Sequence, residues 1–185
     1  MKRARDYAQL ASDAYEDRPV SPRPPGRREP ISLGDVDYCV VEHVNNRTTG
    51  YQGTVYQRVD SGEIVVAHRG TEQIWKDGVV TDGAMVLSRI NPQVDDAIEL
   101  TRRALAIAKE QGRQPGKSTP GVTVTGHSLG GTLAQVTAHH FDLRGETFNA
   151  YGATSLDRRI PEGGNRVLNH VMAADTVSAA SPHYG

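Results

Sequence analysis

The sequence predicts an α/β protein built on one mixed sheet, antiparallel where it begins and parallel where it ends. Three observations carry this expectation. Strand-like runs separated by turn residues follow one another between Asp37 and His68; strands alternate with helical patterns after Val94; and a Gly-x-Ser-x-Gly turn joins a β-branched strand directly to a small-residue helix. Strands in quick succession pair as a meander, whereas alternation with helices implies crossover connections and parallel pairing.

The elements follow in chain order. Ala4, Tyr7, Ala8, Ala11, Ala14 and Tyr15 recur at helical spacing and predict an amphipathic helix that stops before Arg18-Pro19. Residues 19–30 hold five prolines, and four arginines lie between Arg18 and Pro30, which reads as an irregular connector with solvated charges. Strands are expected over 37–44, 53–59 and 63–68, with Gly50 and Ser61-Gly62 at the turns. Val94, Ala97, Ile98, Ala104, Leu105 and Ala108 then mark a helix ending near Gly112, before Pro115. A strand over 122–125, a helix from Leu129 to about His140, and strands over 146–151 and 167–173 complete the reading.

The 185 residues suit a single domain, 1–185, with enough chain to bury a real core; the alternative is the N-terminal part of a longer protein. With 37% hydrophobic and 23% charged residues and a net charge of −1, the composition fits a soluble globular protein and argues against a dedicated nucleic-acid binder. No run approaches the length of a membrane-spanning helix. The basic start (Lys2, Arg3, Arg5) leads into a mixed-polarity helix rather than an apolar core, so a cleaved secretory leader is not expected. The lone Cys39 excludes an internal disulfide and a thiolate zinc cage, and its neighbours Tyr38, Val40 and Val41 predict a buried strand residue.

Chemistry concentrates in the stretch from Val122 to Ala134. A serine on a tight strand-to-helix turn projects its hydroxyl at the carboxyl edge of the sheet. Gly126 and Gly130 remove side chains that would collide there. The following helix aims its N-terminus, with the Leu129 N–H, at negative charge developing on a substrate oxygen. The bland alternative is a Gly-rich turn whose serine merely caps the helix. Acyl transfer needs a second donor from another loop. The strand end Val65-Val-Ala-His-Arg-Gly70-Thr71 offers one, with the Thr71 N–H following a permissive glycine.

The run GHSLGGTLA (126–134), preceded by AHRGTE (67–72) with Trp75 and Asp77 close behind, resembles the class 3 lipases, a branch of the α/β-hydrolases. The similarity continues through Phe148-Asn-Ala-Tyr-Gly-Ala153 and Asn169-His-Val-Met-Ala-Ala-Asp175-Thr-Val177, so it covers about residues 54–177. It implies an α/β-hydrolase-like sheet and a serine lipase or esterase acting on acyl esters of lipids, phospholipids or glycerides, through an acyl-enzyme. By this resemblance Ser128 is the nucleophile, Thr71 and Leu129 form the oxyanion hole, and Asp175 is the triad acid.

Asp175 also ends an apolar, β-branched strand and so can share a sheet edge with Ser128; the rival, Asp157, sits beside Arg158 and Arg159 and reads as a surface ion pair. In α/β-hydrolases the triad runs Ser, acid, His in chain order. Only His183 follows Asp175, after eight residues, a shorter spacing than in the fungal members, and two residues before Gly185. Termini usually fray. Two expectations stay open: His183 is the base and something orders the end, or the base lies beyond residue 185. Of the other histidines, His127 is expected beneath the turn, His139 and His140 at the end of the elbow helix, His170 facing away from Asp175, and His43 and His68 on upstream strands. No pair has the spacing and carboxylate company of a metal site, so neither metal nor cofactor is expected.

Between Thr71 and Val94 lies an apolar run interrupted by Gly78 and Gly83. In class 3 lipases this segment is a mobile lid, which makes Trp75, Met85 and Leu87 candidates for contact with an acyl chain; a helix buried against the sheet is the other reading. Asn91-Pro-Gln93 and Leu10-Ala-Ser-Asp-Ala-Tyr15 resemble bacterial lipase-type effector domains that attack phospholipids. That likeness implies a lipid or membrane-surface substrate, a cytoplasmic protein in the producer that is exported without a cleaved leader, and an immunity or inhibitor partner. Competing readings are a thioesterase or acyltransferase on the same serine, and a non-catalytic binding module of the same fold.

Overall fold

A computed structural model of the chain describes residues 2–24, 27–70, 83–153, 160–171 and 183–185. Helix α1 (Lys2–Asp13) precedes strands β1 (Ile31–Leu33), β2 (Val36–Asn46), β3 (Tyr51–Arg58) and β4 (Ile64–His68). Helix α2 (Gly83–Gly112), strand β5 (Val122–His127), helix α3 (Leu129–Phe141) and strands β6 (Arg144–Phe148) and β7 (Val167–His170) follow. Among the described residues the strands form one sheet in chain order, antiparallel from β1 to β4 and parallel from β4 to β7. The mixed sheet read from the sequence is therefore the observed one. Among the described residues no helix is long and apolar enough to cross a membrane.

Helices cover both faces, which is why β4 is buried at every residue, Ile64 to His68. Successive strand residues point to opposite sides, and two cores result. Val65 and Ala67 join Tyr38, Val40 and Tyr56 against Tyr7 and Leu10 of α1 and Ala14 just after it. Ile64 and Val66 join Val55 and Val124 against Val94 and Leu100 of α2 and Leu133 of α3. Fully burying each valine, leucine or isoleucine among them contributes about 1.5–3 kcal/mol.

Several boundaries move. β1 grows out of the end of the proline-rich connector. β5 runs two residues beyond expectation, to His127, and β6 stops at Phe148 because Asn149 turns into the left-handed region (φ 46°). α2 starts at Gly83 rather than near Val94 and continues through Pro92, so the part of the expected flap from Gly83 onward is helical. The connector arginines are not simply solvated. Arg28 donates from Nη1 to the carbonyls of Val40 and Val41 (3.0 and 2.9 Å), where β2 carries a bulge, and Arg18 pairs with the buried Asp13 carboxylate. Cys39 is half-buried, not core: Tyr38 and Val40 face α1, and the residue between them faces the other way.

Candidate active site

Ser128 sits between the last residue of β5 and the first of α3. Its backbone is left-handed (φ 55°, ψ −126°), a conformation that costs a non-glycine residue on the order of 1–3 kcal/mol and persists only where surroundings enforce it. Its N–H donates to Phe148 O (3.0 Å) and its carbonyl accepts from the N–H groups of Gly131 and Thr132 (3.0 and 3.3 Å). Its side chain makes no helix-capping hydrogen bond, which removes the bland account of this serine. The residue is 7% exposed, and Leu129 begins the helix with an N–H that has no partner one turn back.

Close approach explains the glycines. A Cβ on Gly126 would stand 2.7 Å from Gly131 N, and one on Gly130 would overlap the carbonyl of His68 and stand 2.7 Å from Arg69 C. The elbow is therefore pressed against the end of β4. Gly70 completes the contact: a Cβ there would lie 2.6 Å from His127 O, 2.5 Å from Tyr15 Oη and 3.4 Å from Ser128 Cβ. The loop leaving β4 thus arrives beside Ser128, and the next residue is Thr71. Thr71, Trp75 and Asp175 lie outside the described residues, as does the rival Asp157. Met85 and Leu87 stand in the early turns of α2, with their side chains likewise undescribed.

His127, expected beneath the turn, meets the Tyr15 hydroxyl through Nδ1 at 3.1 Å. His139 and His140 do end α3, and His139 packs edge-on against Tyr184 at 5.1 Å. His170 stacks on Phe148 and its Nε2 meets the Glu146 carboxylate at 2.8 Å.

His183 is held by Gln135, a wholly buried residue of α3. The Gln135 carbonyl oxygen accepts from the N–H groups of Ala153 and Tyr184 (3.2 and 3.1 Å). That fixes the amide's orientation, so its NH2 faces His183 Nδ1 at 3.1 Å. An NH2 group only donates; Nδ1 is therefore the acceptor, and the neutral ring carries its proton on Nε2. The last residues are tied further: Gly163 N–H donates to His183 O, Gly185 N–H to Gly163 O, and Asn169 Nδ2 to Tyr184 O (2.9, 2.9 and 3.1 Å).

His68 underlies the site. It is fully buried, and burial pushes its pKa down to about 3, so the ring is neutral. Thr137 Oγ1 donates back to the carbonyls of Leu133 and Ala134, so it accepts from His68 Nε2–H at 3.2 Å. The Tyr51 hydroxyl then donates to Nδ1 at 2.9 Å. The relay joins β3, β4 and α3 directly behind the elbow. Tyr15, Gln135 and this relay were not foreseen in the sequence: their contacts bridge 112, 48 and 69 positions, and no local pattern encodes them.

A family model for a phospholipase-like group, the Tle-like phospholipase domain, matches residues 6–177. Among solved structures, the lipase from Rhizopus microsporus var. chinensis is similar at 21% identity and a TM-score of 0.57, over 98% of this chain and 69% of that one. A triacylglycerol lipase from Penicillium expansum is similar at 19% identity and 0.56, over 100% and 76%. Lip2 lipase from Yarrowia lipolytica is similar at 16% identity and 0.59, over 96% and 72%. At these identities the likeness speaks for the fold. No curated protein sequence matches.

Proposed function

The chain belongs to the Tle-like phospholipase domain family; from that premise we propose that it is a lipid-ester hydrolase of the class 3 lipase type, in which Ser128 cleaves acyl esters of membrane phospholipids. The observation that carries the reading is the serine itself, held left-handed at a strand–helix junction with its hydroxyl unspent on capping. Its Oγ attacks the ester carbonyl carbon while a histidine takes the proton. The tetrahedral oxyanion accepts hydrogen bonds from the Leu129 and Thr71 N–H groups. Collapse expels the alcohol, which leaves with the histidine's proton, and water then releases the fatty acid from the acyl-enzyme by the same steps.

Asp175 is the proposed acid and His183 the proposed base. For His183 to serve, its ring must leave the Gln135 amide, because the bond to Gln135 keeps the proton on Nε2, the atom that has to accept from serine. Trp75, Met85 and Leu87 are proposed to contact the acyl chain. The effector reading adds export from the producing cell and an immunity partner.

A fluorophosphonate probe should label the wild type and leave Ser128→Ala unlabelled, and fatty acid release from phosphatidylcholine vesicles should fall by about 10³-fold or more in that variant. A wild type that is not labelled supports the binding module. Faster turnover with thioesters or alcohol acceptors supports the thioesterase or acyltransferase. If hydrolysis survives His183→Ala, another histidine is the base.

A further inference from the structure

The end of α1 and the residues just after it touch both halves of the site. The Tyr15 hydroxyl meets Nδ1 of His127, the residue before Ser128, at 3.1 Å, and the same hydroxyl stands where a Gly70 Cβ would come within 2.5 Å of it. On the ring's other contact, the Arg69 guanidinium lies over Tyr15, 5.6 Å from its centroid. Arg69 is itself fixed: its N–H donates to Gln52 O at 3.0 Å and its Nη1 to Gln52 Oε1. Gln52, 2% exposed, sends its amide NH2 to the carbonyls of Ala14 and Glu16 (3.3 and 3.2 Å), the two residues flanking Tyr15. The contacts close a ring: Tyr15, His127 and the elbow on one arm; Arg69, Gln52 and the backbone around Tyr15 on the other.

We propose that Tyr15 is a positioning residue for acyl transfer, which sets the separation of the two oxyanion donors by bracing the elbow through His127 and the oxyanion loop through Gly70 and Arg69. This rests on the reading of Ser128 as nucleophile. The donors come from different loops, Leu129 after β5 and Thr71 after β4, and nothing in the sheet's register alone fixes the gap between two loop residues. The glycine contacts of Gly130 and Gly70 bring the two loops together, and a hydroxyl wedged between the residue preceding Ser128 and the residue preceding Thr71 braces them. Misplacing a donor by about an ångström lowers rate on the order of 10²-fold, and it lowers turnover rather than binding, because the oxyanion exists only past the ground state.

The test uses a soluble aryl ester, so that surface adsorption does not enter. Tyr15→Phe keeps the ring for Arg69 and loses the hydroxyl; it should lower kcat by about 10-fold with KM within twofold and an unchanged unfolding midpoint, and Tyr15→Ala should lower kcat by about 100-fold. His127→Ala should match Tyr15→Phe, and the double variant should be no slower than either single one, since both remove one link. Wild-type kcat in Tyr15→Phe, an effect confined to KM, or additive losses in the double variant would each overturn the proposal. If Tyr15 variants do not fold, His127→Ala with normal kcat overturns it alone. Failure of the underlying reading looks different: the wild type itself then neither reacts with fluorophosphonate nor turns over the ester.

Discussion

Acidification should destabilise this protein, in part through His68. His68 has an ordinary pKa of 6.5 and a native one of about 3, and burial is the cause. The unfolded chain therefore binds a proton that the native state refuses. Above pH 6.5 the ring is neutral in both states and contributes no pH dependence. Below it, native stability falls as the unfolded form protonates, and the loss ends only where the native ring itself titrates. The slope approaches about 1.4 kcal/mol per pH unit, so between pH 7.5 and pH 5 the loss from His68 is about 2 kcal/mol. Urea unfolding at both pH values measures it, in the wild type and in His68→Gln, whose amide can still bond Tyr51 and Thr137. The variant should start less stable at pH 7.5 yet lose about 2 kcal/mol less on acidification. Parallel losses in the two proteins would refute the assignment of a buried neutral imidazole.

Three further outcomes follow from the same geometry. Gly130→Ala forces a Cβ into the carbonyl of His68; it should destabilise by about 1–3 kcal/mol in urea and slow phosphonate labelling of Ser128 by about 100-fold, and a variant as stable and reactive as wild type would contradict the packing. Ser128→Gly relieves a left-handed backbone and should raise the unfolding free energy by about 1 kcal/mol while ending hydrolysis; equal or lower stability would deny the strain. Gln135→Leu strips partners from the N–H groups of Ala153 and Tyr184 and from His183. It should destabilise by about 1–3 kcal/mol and speed amide exchange at Tyr184 more than 10-fold, whereas unchanged protection would show that the chain end is held by other contacts.

What the sequence disclosed was local. The apolar run of β4, the β-branched β5 and the small residues of α3 each fit within one element, and the elbow glycines announced a close approach that the His68 carbonyl accounts for. Apolar spacing marked α2 only from Val94; burial of Ile90, Val94 and Ala97 (1%, 1% and 0% exposed) carries the helix through Pro92 from an earlier start. Arg28 looked like a solvated charge because nothing near it in sequence shows that two strand carbonyls at a bulge await a donor. The brace at Tyr15 and the clamp at Gln135 are tertiary in the strict sense: their partners are strangers in sequence, joined only once the sheet is complete.

The order of the strands has a kinetic meaning. Every strand lies beside its chain successor, so the sheet can grow by accretion from one margin, and no segment needs to thread between two that are already joined. The hairpins of the first half close short loops, which is fast; β5 and β6 must each wait for a helix to double back. A ribosome releasing this chain therefore emits the antiparallel half before the reactive turn, and that turn gains its last backbone tie only when β6 emerges, since the Ser128 N–H donates to Phe148 O.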